Sequence, residues 1–155
     1  MIDLAPGPAA DVDLSGCGPV GPEAVAALVA ATGLAESSLL DRLAGSTCYA
    51  AWADSRVVSY GWVSRGETPI GEIGGAIRPE PDEAYIWDCA TLPAYRRRGW
   101  YGRLLAAMLA ELGGQGVRRA WIAARDRNVP ARRALVRKGF RPAAKLRPAP
   151  THLQP

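Results

Sequence analysis

The chain has little of what metal centres, disulfide frameworks and membrane spans require. It contains 1 histidine and 3 cysteines in 155 residues, and the cysteines are widely spaced, without a Cys-x-x-Cys pair. This pattern argues against a zinc site and against a disulfide framework, and it fits the reducing cytoplasm. The apolar runs are too short to cross a bilayer. We therefore expect a cytoplasmic protein that has no resident metal and no membrane partner.

Neither end of the chain has the composition of a packed element. Residues 1–18 are rich in Pro, Gly and Asp, lack the basic and apolar segments of a secretory signal, and predict a flexible arm. Residues 148–155 predict a loose tail. Because apolar residues make up 48% of the chain and charged residues 22%, a single hydrophobic core is expected, and residues 19–147 predict one domain.

Charge is divided unevenly along the chain. Residues 1–94 carry 4 basic and 13 acidic side chains, a net charge of −9, whereas residues 95–155 carry 15 basic and 2 acidic ones, a net charge of +13. Nearly all the basic residues are arginines, whose forked guanidinium suits contacts to phosphate. The division predicts an anionic partner for the C-terminal half. A genome that favours arginine would explain the residue type but less well the segregation.

Hydrophobic periodicity alternates between helical and extended spacing along the chain. Helices are expected over 21–34, 36–45, 100–112 and 128–138. Strands are expected over 84–92, 118–125 and 139–146, with two more inside 47–66 that meet at a turn near Asp54 and Ser55. The segment 69–83 is ambiguous. Because strands and helices alternate over the second half, the pattern predicts an α/β sheet.

A basic turn separates the strand at 84–92 from the helix that begins near Trp100. Three arginines, Arg96 to Arg98, run into Gly99, where the absence of a Cβ atom allows a tight turn. The first N–H groups of the helix have no partner inside it, and the helix dipole adds partial positive charge there. This combination favours a phosphate site. A solvated basic turn is the alternative that the residues leave open.

Two motifs in this half resemble those of the GNAT superfamily of N-acetyltransferases. The stretch "ATLPAYRRRGWYG" is similar to the coenzyme A signature Gln/Arg-x-x-Gly-x-Gly/Ala, with Arg96-x-x-Gly99 matching and Tyr101 in place of the last small residue. The stretch "NVPARRALVRKGF" (Asn128–Phe140) resembles a second block that begins Asn-x-x-Ala and ends Lys-Gly-Phe. The ordered pair is more specific than either motif alone. The resemblance covers about residues 47–145.

The resemblance implies a mixed, mostly antiparallel sheet, flanked by about four helices, in which two central strands splay apart. Those strands would be Tyr85–Leu92 and Arg119–Arg125. The splay leaves backbone groups unpaired, which is costly unless a ligand fills the gap. In the family, the pantetheine arm of acetyl-CoA fills it like an added strand. The backbone contacts implied for this arm are those of Cys89, Ala90, Thr91 and Leu92.

The resemblance also places the pyrophosphate of acetyl-CoA on the basic turn. The implied phosphate-binding residues are Arg96, Arg97, Arg98, Gly99, Trp100, Tyr101 and Gly102. Asn128 and Arg132, with Arg133 next to it, would line the far wall. Because Tyr101 replaces a small residue, we expect either that its ring points outward or that the helix begins one residue differently.

Acetyl transfer to an amine requires a group that removes a proton, because an ammonium with a pKa of about 10.4 cannot attack a thioester. The only histidine, His152, lies in the tail, which leaves the carboxylates of Asp88, Glu83 and Glu72. Asp88 lies within an apolar strand and Glu83 at its start, and we predict that one of these two is the general base. A purely structural role for either one stays open.

A proton donor for the leaving thiolate is less easily found. Many family members have a tyrosine in the helix that follows the asparagine, but Leu135 stands at that position. Tyr101 or Tyr85 could substitute for it, although each is also explained by packing. Alternation places Cys89 on the same face as Tyr85 and Trp87, and Asp88 on the other. Cys89 as a nucleophile is a minor alternative, because a strand thiol without a histidine partner is usually inert.

The sequence therefore predicts an N-acetyltransferase that moves an acetyl group from acetyl-CoA to a primary amine of a small molecule or peptide, by direct attack in a ternary complex. The acidic N-terminal half favours a cationic acceptor. We expect no nucleic-acid partner and either a monomer or a homodimer. Two other classes stay open. One is a non-catalytic acyl-CoA-binding module, and the other is a basic nucleic-acid-binding protein, for which no recognisable motif is present.

Overall fold

A computed structural model of the chain describes residues 1–4 and 14–147, which form alternating strands and helices. The strands are β1 (Ile2–Asp3), β2 (Cys17–Val20), β3 (Thr47–Ala53), β4 (Arg56–Ser64), β5 (Thr68–Ile70), β6 (Gly75–Ile77), β7 (Glu83–Thr91) and β8 (Arg119–Ile122). The α-helices are α1 (Val25–Thr32), α2 (Glu36–Gly45), α3 (Trp100–Gly114) and α4 (Val129–Arg137). Single 3-10 turns occur at Pro22–Ala24 and Pro93–Tyr95.

Six of the strands form one sheet in the order β1-β8-β7-β4-β3-β2. Neighbouring strands are antiparallel except for the central pair β7 and β8, which is parallel. Strands β5 and β6 form a separate hairpin that joins β4 to β7 along the chain. The prediction of a mixed, mostly antiparallel sheet flanked by about four helices is confirmed.

The sheet carries an apolar layer on each face. On one face, the buried residues Leu104, Leu105 and Met108 of α3 pack against sheet residues that include Ile86. On the other face, Leu28 of α1 and Leu39 of α2 pack against a cluster around the fully buried Trp62. Burial of these side chains supplies the main favourable contribution to folding, at about 1.5–3 kcal/mol for each large apolar side chain. The sheet is therefore held from both sides.

Local sequence accounts for several of the turns and caps. Asp54 and Ser55 both adopt positive φ angles, 48° and 61°, as a two-residue hairpin turn requires. The Oδ1 atom of Asn128 accepts a hydrogen bond from the backbone N–H of Ala131 at 3.2 Å, which caps α4 as predicted. Gly139 follows α4 with a φ of 91°. These positions could be predicted from the sequence because short polar residues and glycine have specific backbone preferences.

The N-terminal residues differ from the expectation of a flexible arm. Ile2 pairs with Ala120 and Asp3 with Arg119, so that β1 lies at the edge of the sheet. Cys17 begins β2, and both ends of residues 1–18 are therefore ordered in strands. The Pro- and Gly-rich composition did not indicate these strands. Strand β1 is only two residues long and is held by ion pairs of Asp3 with arginines far along the chain. Residues 5–13 lie outside the described part.

The segment after α4 also differs from its prediction. Residues 139–146 form no strand. Phe140 is buried, but the residues that follow it are exposed without alternation, and Pro142 has no N–H to donate to a ladder. The predicted tail at 148–155 lies outside the described residues. Within the described part, no helix has the length and the apolar composition needed to cross a bilayer.

Candidate active site

The central strands β7 and β8 stop pairing halfway along β7. They pair from Glu83 with Arg119 to Ile86 with Ile122. There β8 ends, whereas β7 continues to Thr91 and stays paired with β4 on its other edge. In the described part of the chain, β8 therefore offers no pairing partner to β7 beyond Ile86. An extended ligand could take up the backbone groups of this open edge. The segment 89–92, predicted to contact a cofactor arm, lies along it.

A β-bulge between β4 and β7 lies just beyond the point where β7 and β8 separate. Tyr60 pairs with Ala90 and Trp62 with Trp87, so that two residues of β7, Asp88 and Cys89, face the single residue between them on β4. Asp88 has a φ of 45°. The extra residue reverses the alternation of side chains along the strand.

The bulge corrects the expectation that Cys89 and Trp87 share a face. Cys89 packs on the cluster beneath α3, whereas Trp87 packs on the cluster beneath α2. Gly61 makes this possible, because a Cβ atom there would lie 2.6 Å from Cys89 Sγ and 2.6 Å from Met108 Cε. Burial raises the pKa of the Cys89 thiol to about 12. A protonated thiol is a weak nucleophile, so covalent catalysis by Cys89 gains no support.

The basic turn between β7 and α3 has two residues in the left-handed region. Arg97 has a φ of 61° and Gly99 a φ of 79°. Gly99 is the N-cap of α3 and makes no side-chain capping bond, so the first N–H groups of the helix are not covered by a cap. Arg96 donates from Nε to the Thr91 carbonyl at 3.0 Å. The turn therefore brings three exposed arginines, Arg96 to Arg98, to a helix N-terminus.

The first turn of α3 contains two aromatic residues that point to different surroundings. The guanidinium of Arg103 lies 3.9 Å from the centre of the Trp100 ring. Tyr101 is half-buried and packs on the cluster beneath α3, together with Cys89. Its ring therefore does not point outward. Burial raises the pKa of Tyr101, so that its hydroxyl remains a hydrogen-bond donor throughout the neutral range.

Lys138 reaches the same helix end, although sequence reasoning did not single it out. The space that a Cβ atom at Gly102 would occupy lies 3.2 Å from Lys138 Cε and 3.5 Å from its Nζ. The side chain thus runs along the first turn of α3 and adds a further positive charge to the basic turn. The only signal in the sequence was its place in the "LVRKGF" stretch.

The residues predicted for the far wall are engaged with the loop before α4. Asn128 uses Oδ1 for the helix cap, and Arg132 forms an ion pair with Asp126 at 3.3 Å. Both side chains are exposed. The ion pair does not prevent a ligand from binding Arg132, because exposed ion pairs contribute about 0–1 kcal/mol.

Two of the three candidate carboxylates lie away from the open edge of β7 or bond to arginine and tryptophan side chains. Glu83 is buried at the paired end of β7 and accepts hydrogen bonds from Trp121 Nε1 at 2.9 Å and from Arg119 at 3.2 Å. These bonds hold Glu83 at the end of β7 that is paired with β8, away from the open edge. Glu72 lies between β5 and β6, exposed, and forms an ion pair with Arg125.

Asp88 is the candidate carboxylate at the bulge itself. Its Oδ2 atom lies 2.5 Å from Nη1 of Arg42, which belongs to α2. The same guanidinium lies 5.5 Å from the centre of the Trp62 ring and 5.1 Å from that of Trp87. The two rings are stacked, with centroids 5.7 Å apart. A carboxylate, a cation and an aromatic floor thus meet beside the open edge of β7.

Tyr60 is a further polar residue at this place that sequence reasoning missed. It pairs with Ala90 across the bulge. Burial raises the pKa of its phenol, and the charge of Asp88 raises it further. Arg42, Tyr60 and Asp88 come from three separate elements, and only the alternation of Tyr60 and Trp62 around a glycine hinted at their common face. Among the described residues, no group of His, Cys, Asp and Glu is arranged to hold a metal.

Comparison with protein families matches residues 31–140 to the model described as the Acetyltransferase (GNAT) family. Comparison with curated proteins finds no match.

Solved structures share the fold at low sequence identity. A tetramutant of the BH1408 protein from Bacillus halodurans has a TM-score of 0.67 at 13% identity, covering 86% of this chain and 98% of the other. A ribosomal-protein-alanine N-acetyltransferase from Escherichia coli has a TM-score of 0.65 at 17% identity, covering 83% and 78%. The aminoglycoside N-acetyltransferase AAC(6')-Iy, in complex with CoA, has a TM-score of 0.64 at 16% identity, covering 83% and 93%.

Proposed function

Because the chain belongs to the Acetyltransferase (GNAT) family of acetyl-CoA-dependent N-acetyltransferases, we propose that it acetylates a primary amine of a small molecule or peptide by direct attack in a ternary complex. The observation that carries this proposal is the open edge of β7, which runs from the bulge at Asp88 towards the basic turn. Acetyl-CoA supplies the thioester when bound. The acceptor supplies the attacking amine, and this chain supplies the groups that bind the two substrates and move the proton.

The donor is held in two places. The backbone of residues 89–92 binds the extended arm at the open edge of β7, as an added strand would. The uncapped N-terminus of α3 and the arginines of the turn, Arg96 to Arg98, bind the phosphates, because N–H groups and positive charge converge there. Lys138 adds to this charge from the end of α4. Arg132 exchanges Asp126 for the anionic end of the donor.

Asp88 is the general base that takes the proton from the acceptor ammonium, directly or through water. Of the three candidate carboxylates, it is the one that lies at the bulge beyond the last β7–β8 pair, and it belongs to the strand that holds the donor arm. Direct transfer is favoured over a covalent route because the thiol of Cys89 is held in its protonated form. Tyr101, next to Cys89 in the packing of the core, serves as hydrogen-bond donor to the departing sulfur.

The acceptor is an amine, and its size is open. Two of the structurally similar enzymes are described as acting on an aminoglycoside and on an alanine of a ribosomal protein. They support an amine acceptor without choosing between a small molecule and a peptide. A non-catalytic acyl-CoA-binding module remains the second candidate, since Leu135 is buried at the place where many relatives carry a tyrosine.

Calorimetry with acetyl-CoA tests the phosphate site. The R97A/R98A variant should bind about 10- to 100-fold more weakly than wild type, because hydrogen bonds to charged groups contribute about 1.5–3 kcal/mol. The matched control is R65A/R118A, which removes two exposed arginines elsewhere and should bind as tightly as wild type. Equal affinity of R97A/R98A and wild type would contradict the assignment.

Release of the coenzyme A thiol, measured over a panel of amines, separates an enzyme from a binding module. The D88N variant should lose about 10²- to 10⁴-fold in kcat, the usual effect of removing a general base, without a change in acetyl-CoA affinity. Binding of acetyl-CoA without thiol release from any amine would favour the module.

A further inference from the structure

The aromatic floor beside Asp88 already holds a cation, and this cation belongs to the protein. The guanidinium of Arg42 lies over Trp62 and Trp87, at 5.5 and 5.1 Å from the ring centres, and pairs with Asp88 at 2.5 Å. Aromatic faces next to a carboxylate attract ammonium and guanidinium groups through the ring quadrupole and through charge. The arrangement is a cation-binding subsite with its occupant in place.

This occupant stands in the way of the chemistry. Direct proton transfer requires the acceptor ammonium to reach Asp88, whose Oδ2 atom is engaged by Arg42. An acceptor cation that takes the place of the guanidinium on this atom and on the rings has to move Arg42 aside. We propose that Arg42 is a specificity-determining gate: acceptors bind by displacing its guanidinium, and the subsite selects small-molecule amines with more than one positive charge. This inference rests on the proposed acetyltransferase function.

The pair is weak enough to be displaced. The Arg42 side chain is 28% exposed and that of Asp88 is 43% exposed, and ion pairs in contact with water contribute little. Arginine carries a long stem with many rotamers, so the head group can leave without movement of α2. A second cationic group on the acceptor replaces Arg42 on the rings, while the reacting amine meets Asp88.

A carboxylate-bearing acceptor is the competing possibility, with Arg42 as its anchor. The geometry disfavours it. One edge of the guanidinium is used by Asp88, and a carboxylate brought to the free edge would lie close to the Asp88 charge, which is repulsive. Two aromatic faces also offer nothing to an anion, because the face of an aromatic ring is negative.

Steady-state kinetics of two acceptors distinguish gate from anchor. Thiol release is followed with spermidine, a cationic amine, and with glycylglycine, an amine that carries a carboxylate, for wild type, R42A and R42Q. If Arg42 is a gate, the KM for spermidine falls about tenfold in R42A with kcat within about twofold. The KM for glycylglycine rising by a similar factor would make Arg42 an anchor and overturn the proposal, as would an unchanged KM for spermidine.

A binding experiment keeps the gate testable apart from catalysis. Spermidine is titrated in the presence of coenzyme A while tryptophan fluorescence is recorded, because Trp62 and Trp87 form the floor of the subsite. R42A should bind spermidine about tenfold more tightly than wild type. The control variant R118A, which removes an arginine just before β8, should bind it as wild type does.

The outcomes separate the two proposals. If wild type releases no thiol with any amine but R42A binds spermidine more tightly, the subsite stands and the transfer reaction fails. If thiol release occurs and neither the KM nor the spermidine affinity changes, the gate alone fails. R42Q keeps most of the stem over the buried Trp62 ring and replaces R42A in both measurements should R42A not fold.

Discussion

Replacing Gly61 with alanine tests the bulge that directs Cys89 into the core. The new Cβ atom would lie 2.6 Å from Cys89 Sγ and 2.6 Å from Met108 Cε, about 1 Å closer than favourable contact. Overpacking of this kind costs about 1–3 kcal/mol. Because Met108 Cε is the end of a flexible side chain, we expect the lower part of that range, ~1–2 kcal/mol. For a chain of this length the melting temperature should fall by about 2–8 °C.

Thermal unfolding followed by calorimetry measures this loss. Gly18→Ala is the matched control, since Gly18 also lies in a strand and a Cβ atom there meets nothing within 4 Å; its melting temperature should stay the same or rise slightly. Cys89→Ala in the Gly61→Ala background should recover part of the loss, because the two side chains would occupy the same space. A Gly61→Ala variant as stable as wild type, or an equal loss with and without the Cys89 thiol, would refute the packing of the bulge.

Four further outcomes are expected. Arg97→Gly should leave the free energy of unfolding unchanged or raise it by up to about 1 kcal/mol, since Arg97 holds a φ of 61° that costs least for glycine, yet it should weaken acetyl-CoA binding in calorimetry; a clear loss of stability would contradict this. Cys89→Ala should keep kcat within about threefold, because a thiol with a pKa of about 12 is protonated at the assay pH; complete inactivation of the folded variant would restore the nucleophile. Asp3→Asn should lower the melting temperature near pH 6, and the difference from wild type should shrink below pH 3.8. The reason is that the hydrogen bond from Arg119 lowers the pKa of Asp3 from 3.8, and a carboxylate with a lowered pKa stabilises the fold only while it is ionised. A deficit independent of pH would argue against these ion pairs. Asn128→Ala should cost about 1 kcal/mol through loss of the cap, and a melting temperature equal to that of wild type would show that the cap bond contributes nothing.

The part of the fold that rests on local preferences could be predicted from the sequence. Asn128 with Pro130 marks the start of α4, Gly99 lies at the turn into α3, and Asp54 with Ser55 forms the hairpin between β3 and β4. Each of these positions depends on residues that are neighbours in the chain. Their short polar side chains, or the absence of a side chain, restrict the backbone without help from the rest of the molecule.

The bulge at Asp88 could not be predicted, because nothing next to it in the chain requires an extra residue. Its cause lies across the strand pair, where Gly61 leaves room for the Cys89 thiol. Simple alternation therefore put Cys89 on the wrong face. The N-terminal strand β1 is a similar case, since two residues carry no periodicity and their partner, Arg119, is more than a hundred positions away.

The candidate base illustrates the same limit within the site. Asp88 and Glu83 are both carboxylates of one strand, and the sequence alone could not choose between them. The choice depends on β8, which supplies Trp121 and Arg119 to Glu83 but ends before it reaches Asp88. Arg42 was missed because its contact with Asp88 joins a helix surface to a strand 46 positions later.

A crystal structure of the complex with acetyl-CoA is the most direct test of how this chain holds its donor. We expect the pantetheine arm to lie along the open edge of β7, bonded to the backbone of residues 89–92, and the pyrophosphate to contact the N–H groups of the first turn of α3. The thioester should then lie beside the bulge at Asp88. A complex in which β8 is drawn into pairing along the whole of β7, with the donor bound elsewhere, would contradict the account.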